Sequence, residues 1–161
     1  GDWSSDVCSS DLEQFAYRDI SELVDLNLTS QIYVVRAFMP VIKRNGGGDV
    51  VLMGSEAALS GGRYGAVYSA TKFAVRGFAQ ALRHECAAAN VRITVINPGM
   101  VRTGFFDSLE FEPGADPENF IEPEDVAGAI IGALSARRET VVDEINLSPL
   151  KRVVHKKTNN I

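Results

Sequence analysis

The order of segments along this chain predicts an α/β fold with a doubly wound parallel sheet. Two observations predict it. Stretches with apolar residues at helical spacing alternate with short apolar runs that are typical of buried strands. Parallel strands need long crossover connections, so this alternation favours one sheet with helices on both of its faces. The chain has 161 residues, which is the usual length of one domain.

The first half of the chain predicts two long helices with a strand between them. The first helix runs from Asp19 to about Asn45; Pro40 should kink it, and Gly46–Gly48 should end it. Val50–Met53 then predicts a short, fully buried strand. Beyond a glycine-rich loop, an alanine-rich stretch without proline predicts a second helix over residues 66–89.

The second half predicts two strands and one more helix. Val91–Ile96 reads as a strand that ends where proline and glycine follow. Residues 104–122 are predicted to be irregular. Pro123–Asp125 opens a helix, because proline and acidic residues favour a first helical turn. Thr140–Leu147 predicts the last strand, which Pro149 stops.

Both ends of the chain are expected to lie outside the folded domain. Residues 1–12, GDWSSDVCSSDL, have no apolar periodicity and resemble the in-frame translation of a DNA-sequencing adapter. We therefore treat them as a non-native segment and exclude them from the fold. Residues 151–161 are polar and basic, and are expected to form a solvated tail. The domain between these ends spans residues 13–150.

The composition argues against several classes of function. A formal net charge of -5 offers no general attraction for nucleic acid or for anionic lipid. No apolar run approaches the roughly 20 residues that a membrane-spanning helix needs. Two cysteines supply neither a disulfide framework nor the spacing of a metal site. We expect a cytoplasmic protein that acts on small molecules, without a metal and without nucleic-acid or membrane partners.

Tyr68 and Lys72 form the strongest candidate for a chemical site. Their spacing of four residues in the second long helix places both side chains on one face. A phenol has a pKa near 10 and is a poor acid or base at neutral pH. A neighbouring ammonium group stabilises the phenolate, so Lys72 is expected to lower the pKa of Tyr68. By itself, such a pair also arises by chance on many helices.

Ser55 strengthens the interpretation of this pair. It follows Gly54 directly after the predicted buried strand, where α/β folds place functional groups. It lies 13 residues before Tyr68, across a glycine-rich loop that can bring the two together. A serine there can hydrogen-bond a substrate carbonyl; the alternative is a loop serine that caps its own neighbours. Glu56, beside it, has no evident role in the sequence.

Four motifs in this order resemble the short-chain dehydrogenase/reductase family. They are Asn27 in DLNL, Ser55, Tyr68 to Lys72 in YSATK, and residues 97–103 in NPGMVRT. The last predicted strand, 143–149, also resembles the family's final strand. The resemblance extends over nearly all of residues 13–150. It implies a Rossmann-like fold and an NAD(P)-dependent oxidoreductase that transfers a hydride between a nicotinamide cofactor and an alcohol or ketone.

The resemblance also implies a role for each matching residue. Tyr68 would be the general acid/base, and Ser55 would orient the substrate carbonyl. Lys72 would depress the pKa of Tyr68 and bind the nicotinamide ribose. Asn27 would hold, through its backbone carbonyl, a water that links Lys72 to solvent. The implied catalytic residues are Asn27, Ser55, Tyr68 and Lys72, and the implied cofactor-binding residues are Asn27, Tyr68, Lys72, Pro98, Gly99, Val101 and Thr103.

The sequence departs from the family in its first half. It contains neither the glycine fingerprint for the pyrophosphate nor the second strand that selects NAD or NADP. We expect that the N-terminal half of the fold is missing, and that the chain alone is poorly soluble and inactive. On family grounds the cofactor is NADP or NAD, with NADP favoured, and the full-length protein is a homo-dimer or homo-tetramer.

Two other functions remain open on the same fold. One is an epimerase or dehydratase that uses the same Tyr–Lys pair, although such relatives usually carry a larger substrate domain after the Pro-Gly segment. The other is a non-catalytic dinucleotide-binding or regulatory protein, which has no chemical need of Ser55 together with Tyr68. Phe105, Phe106, Phe111 and Phe120 are expected either to rim a substrate pocket or to make simple core contacts.

Overall fold

A sheet of three parallel strands lies at the centre of the fold. The structure is a computed structural model that describes residues 11–107 and 109–157. Within these ranges the helices are α1 (Tyr17–Val24), α2 (Ser30–Arg44), α3 (Ala66–Cys86) and α4 (Pro123–Leu134). The strands are β1 (Gly48–Met53), β2 (Val91–Pro98), β3 (Phe111–Pro113), β4 (Glu144–Leu147) and β5 (Val154–Lys156). Most of the segment interpreted as non-native, residues 1–10, lies outside the described residues.

The parallel sheet has the order β1-β2-β4 in the described part of the chain. β1 and β2 pair from Gly48 opposite Val91 to Met53 opposite Ile96, and β4 pairs with the end of β2. α2 and α3 pack on one face, against Ile93 and its neighbours, while α4 packs on the other face against Ile96. The predicted Rossmann-like arrangement, a parallel sheet between helices, is confirmed.

β1 is less buried than the sequence predicts. β2 is buried almost throughout because it lies between two strands and under helices on both faces. In β1 only Leu52 is fully buried, and Met53 is 41% exposed. The prediction of a fully buried strand was wrong here, because β1 has a strand neighbour on one side only in the described residues.

The first long helix contains a wider turn at the position of Asn27. α1 and α2 are joined by a π-helical turn over Asp25–Thr29, in which the Ser30 N–H donates to the Asp25 carbonyl five residues earlier. π-turns inside α-helices often coincide with functional positions. α2 continues past Pro40 to Arg44, so the proline does not end the helix. The predicted extent is confirmed within about two residues, but the π-turn was not predicted.

The second half of the chain is more ordered than its sequence indicates. Phe111–Pro113, within the segment predicted to be irregular, forms β3 and pairs antiparallel with β5. β5 lies in the segment predicted to be a solvated tail; its residues are exposed to solvent, and its backbone also pairs with β3. β4 begins at Glu144, four residues later than predicted. Backbone pairing between residues 41 to 45 positions apart leaves no periodic signal in either segment.

A buried arginine joins the start of β2 to the end of α4. Arg92, whose side chain is 7% exposed, pairs with Asp49 at 2.6 Å. Its guanidinium also donates to backbone carbonyls that follow the helix: those of Leu134, Ala136, Arg137 and Thr140. These carbonyls lie at and beyond a helix C-terminus, where a cation is favoured. None of the described helices is long and apolar enough to span a bilayer.

Candidate active site

The carboxyl ends of β1 and β2 and the first turns of α3 surround a cavity of about 310 Å³. Ser55 follows β1, Pro98 ends β2, and Tyr68 is the third residue of α3. This is the edge of a parallel sheet at which α/β folds bind their ligands. The cavity is lined by Gly54, Ser55, Glu56, Ala57, Tyr68, Pro98, Gly99, Met100, Val101, Thr103, Phe105, Phe106 and Phe111.

Tyr68 and Lys72 lie on the same face of α3. The Lys72 Nζ is 5.6 Å from the centroid of the Tyr68 ring and donates to the Met53 carbonyl at 3.3 Å. Lys72 is 9% exposed, which is unusual for a lysine. Burial places its charge near the phenol with little screening by water. The shared face predicted from the spacing is therefore present, with Tyr68 in the cavity wall and Lys72 packed against β1.

Ser55 is held by two hydrogen bonds at the entrance to its loop. Its Oγ accepts from the Ala57 N–H at 3.2 Å, and its own N–H donates to Asn97 Oδ1 at 3.3 Å. Ser55 therefore does cap its own neighbours, which was the alternative role considered for it. This cap does not compete with a role in the cavity, because a hydroxyl that accepts one hydrogen bond can still donate its O–H.

The Asn97 side chain has a role in the site that the sequence did not predict. It is 0% exposed, and its Nδ2 donates to Glu144 Oε1 at 2.5 Å and to Asn146 Oδ1 at 2.9 Å. Glu144 in turn pairs with Arg76 of α3 at 2.7 Å. A chain of polar contacts therefore joins the Ser55 loop to the helix that carries Tyr68. Asn97 begins the motif NPGMVRT that carries the family resemblance, but no separate role was predicted for its side chain.

The same network explains Gly54. A Cβ on this glycine would overlap Asn97 Oδ1, the atom that accepts from the Ser55 N–H. Real Cβ atoms do not approach an oxygen so closely, so the position before Ser55 requires glycine while Asn97 keeps its place.

Asn27 lies in the π-turn and is not among the residues that line the cavity. Its Nδ2 donates to Thr71 Oγ1 at 3.2 Å, and its backbone carbonyl accepts from Gln31 Nε2 at 2.8 Å. Gln31 also exchanges hydrogen bonds with the backbone of Met53, whose carbonyl accepts from Lys72 as well. Gln31 was not predicted, although it lies one turn after Asn27. The water proposed between Asn27 and Lys72 stays a prediction.

The residues predicted to hold the nicotinamide, Pro98, Gly99, Val101 and Thr103, all line the cavity. Thr103 Oγ1 accepts from the Phe105 N–H at 3.3 Å, which leaves its O–H free to donate. Val101 forms an isolated bridge with Ile121 and is half-buried. An apolar side chain beside hydroxyl donors suits a flat ring with a carboxamide, so the residues present fit a nicotinamide. Their role as cofactor ligands stays a prediction.

Three of the four phenylalanines that were expected near the substrate pocket form an aromatic wall. Phe106 packs edge-to-face against Phe105, with ring centroids 5.2 Å apart, and against Phe111 at 5.8 Å. Phe120 is buried instead, with the Arg102 guanidinium 4.2 Å from its ring centroid. The predicted apolar rim is thus present for Phe105, Phe106 and Phe111, whereas Phe120 makes a core contact. No cluster of three or more metal-ligating side chains occurs among the described residues.

Comparison with known proteins decides the family. The family whose sequence pattern matches residues 7–113, more than half of the chain, is described as short chain dehydrogenase. The chain belongs to the short-chain dehydrogenase family. This confirms the family inferred from the four motifs, and it is a family of oxidoreductases.

Two curated relatives of this chain are identical to it at about a quarter of the aligned positions. An uncharacterized oxidoreductase of Staphylococcus aureus is 28% identical over 144 residues, which is 89% of this chain and 61% of that protein. One of Staphylococcus epidermidis is 26% identical over 142 residues, 88% of this chain and 60% of that protein. The chain therefore spans about three fifths of the curated relatives it matches.

Solved structures of two dehydrogenases are similar to this short-chain dehydrogenase. The alcohol dehydrogenase from the archaeon Thermococcus sibiricus, complexed with 5-hydroxy-NADP, has a TM-score of 0.79 at 26% identity, over 91% of this chain and 60% of that one. Serine dehydrogenase from Escherichia coli has a TM-score of 0.73 at 26% identity, over 88% and 58%. The described part of the chain therefore shares the Rossmann-like fold of these two dehydrogenases.

Proposed function

We propose that this protein is an NAD(P)-dependent oxidoreductase that interconverts an alcohol and a carbonyl compound. The observation that carries the proposal is that Ser55 and Tyr68 line one cavity, while Lys72 lies buried on the same helix face as Tyr68. A hydroxyl donor, a phenol and a nearby ammonium are the groups that polarise and protonate a carbonyl oxygen. Asn27, Ser55, Tyr68 and Lys72 are the proposed catalytic residues.

The proposed mechanism assigns one task to each side chain. A reduced nicotinamide, when bound, supplies the hydride that reduces the carbonyl carbon. Ser55 donates its O–H to the carbonyl oxygen and holds it beside Tyr68. The Tyr68 O–H breaks as its proton moves to that oxygen, which yields the alcohol and a phenolate. Lys72 stabilises the phenolate by its charge, since an ammonium within one helical turn favours the ionised phenol.

The cofactor is proposed to be NADP or NAD, with NADP favoured. Two similar structures at 26% identity, the T. sibiricus alcohol dehydrogenase and a closed form of serine dehydrogenase, carry 5-hydroxy-NADP and NADP+. The nicotinamide end is proposed to contact Asn27, Tyr68, Lys72, Pro98, Gly99, Val101 and Thr103.

A homo-dimer or homo-tetramer is proposed because α2 exposes large apolar side chains. Val34, Phe38 and Val41 follow one another at helical spacing on its surface and are 57%, 61% and 43% exposed. Contact with a second copy would remove this surface from water. Cytoplasmic location and a small alcohol or ketone substrate stay predictions.

The test is reduction of carbonyl compounds by protein expressed from the complete reading frame of the source gene. Consumption of NADPH and NADH is followed by absorbance for the wild type and for Tyr68→Phe. We expect Tyr68→Phe to lower kcat by a factor of about 10² to 10⁴, with a much smaller loss of cofactor affinity, which is measured by nicotinamide fluorescence.

The matched control is Tyr64→Phe. It removes the same hydroxyl from a tyrosine that is 42% exposed in the loop before α3 and absent from the cavity wall. Its activity should equal that of the wild type. If Tyr68→Phe reduces carbonyl compounds as fast as Tyr64→Phe, then Tyr68 is not the proton donor and the proposed function is wrong.

A further inference from the structure

Glu56 is the charged side chain in the wall of the proposed substrate cavity. The other residues that line it are apolar, hydroxylated or glycine in the part of the chain that the structure describes. Glu56 directly follows Ser55, so its carboxylate lies beside the group proposed to hold the substrate carbonyl. Among the described lining residues the one formal charge is therefore negative, while the Lys72 ammonium is packed against β1 and is not part of the lining.

The carboxylate of Glu56 lies close to the turn at the end of β2. A Cβ on Gly99 would lie 2.9 Å from Glu56 Oε2 and 3.2 Å from Pro149 Cδ. The segments that follow β1, β2 and β4 thus meet at Gly99. Glu56 is only 26% exposed, so its charge is partly shielded from water.

Arg152 forms an ion pair with this carboxylate and is not part of the cavity wall. Its guanidinium pairs with Glu56 across 96 residues of sequence, and its side chain is 63% exposed. Arg152 is not among the lining residues. The ion pair therefore presents its negative member to the cavity and its positive member to solvent.

The segment that carries Arg152 is fastened on both sides of the pair. The Lys151 ammonium pairs with Glu118 at 2.6 Å, and the Val153 carbonyl accepts from the Gly114 N–H at 3.0 Å. Further along, the Lys157 ammonium donates to the Phe106 carbonyl. The same segment thus holds Arg152 over Glu56 and secures the loop that bears the aromatic wall.

The opposite wall of the cavity is apolar. Phe106 contacts both Phe105 and Phe111 edge-to-face, and Met100 packs with Phe106 in a buried cluster. Aromatic edges and a thioether favour a flat apolar ligand and offer no group to solvate an anion.

We propose that the substrate is a neutral aromatic or apolar carbonyl compound, and that Glu56, balanced by Arg152, excludes substrates that carry a carboxylate. The proposal rests on the proposed function of the same cavity. An anionic substrate would bring a second negative charge beside Glu56 while its countercharge is already engaged. Against Phe105, Phe106, Phe111 and Met100 its carboxylate would also lose hydration, because none of these side chains donates a hydrogen bond.

Three ketones of one shape test the proposal: acetophenone, 4-acetylbenzoate and the 4-acetylphenyl-trimethylammonium ion. The protein from the complete reading frame is assayed for kcat/KM with each, and the ratios are compared. We expect the wild type to prefer the neutral ketone over the anionic one by about tenfold or more, as expected for like charges a few ångströms apart.

Two variants shift these ratios in opposite directions. Arg152→Gln leaves the Glu56 charge unbalanced and should raise the cation-to-neutral ratio by about fivefold. Glu56→Gln removes the negative charge and should raise the anion-to-neutral ratio by a similar factor. Lys151→Gln, one residue from Arg152, removes the same charge from a pair outside the cavity wall and should leave both ratios within about twofold of the wild type.

Binding measured without turnover separates this proposal from the proposed function. Saturation-transfer NMR of the three ketones on cofactor-free protein reports their order of binding. If the neutral ketone binds best but no variant consumes NAD(P)H, the cavity preference stands and the proposed function fails. If 4-acetylbenzoate is preferred, or if Arg152→Gln weakens the anion alone, Arg152 is an anion receptor and the proposal is overturned.

Discussion

Asn97→Ala tests the polar network beneath the candidate site. The substitution removes one acceptor and two donated hydrogen bonds at a residue that is 0% exposed. The buried N–H of Ser55 then has lost its acceptor, and the carboxylate of Glu144 has lost one of its donors. The free energy of unfolding should fall, and the Ser55 loop should lose its fixed position.

The magnitude follows from how well water can replace each contact. An unsatisfied buried N–H costs about 1–3 kcal/mol, and a hydrogen bond to a charged group contributes about 1.5–3 kcal/mol. The Glu144 side chain is 21% exposed and keeps its pair with Arg76, while Asn146 is exposed. Water therefore recovers part of the loss on that side. We expect Asn97→Ala to lower the free energy of unfolding by about 3 kcal/mol.

Urea unfolding of the protein from the complete reading frame measures this change. Asn146→Ala is the matched control, since it deletes the same side chain from an exposed position with one partner in the network. Its cost should stay below about 1 kcal/mol. If Asn97→Ala costs no more than this control at an unchanged m-value, the network is not what holds the Ser55 loop, and the reasoning is refuted.

Two further substitutions test the fold around the site. Arg92→Met should lower the free energy of unfolding by about 3 kcal/mol, because the carbonyls after α4 lose their donor and Asp49 keeps only its exposed partner Arg138. Arg137→Met, in an exposed pair at 3.6 Å, should cost under about 0.5 kcal/mol in the same urea titration. Gly54→Ala should lower the free energy of unfolding by about 2 kcal/mol, because the added methyl group displaces Asn97. The added methyl group of Gly61→Ala meets open space, so this variant should unfold at nearly the same temperature as the wild type. Equal effects within either pair would contradict the assigned contacts.

Several features were predictable because they depend on neighbours in sequence. Tyr68 and Lys72 share a face of α3 because any helix places residues four apart side by side. β2 was predictable because an apolar run that ends in Asn-Pro-Gly is a local signal. Such features require only that the helix or strand forms, so the family, the fold class and the core of the candidate site followed from the sequence.

The remaining features depend on contacts between distant residues. Nothing near Asn97 indicates that its side chain serves Ser55, 42 residues away, or that Glu144 lies within reach. The pairing of β3 with β5 and the pair of Glu56 with Arg152 likewise join segments that carry no periodic signal.

The difference between the features that the sequence predicts and those that it does not has one physical cause. Helical and strand periodicity is set by the backbone geometry of consecutive residues, and the sequence by itself determined those elements and the motifs on them. The partners of a buried amide or of a surface carboxylate are set by which strands adjoin and where their ends meet. Only the tertiary structure therefore decided that Glu56 lies in the cavity wall, that Arg152 forms an ion pair with it, and that β5 in the basic tail pairs with β3.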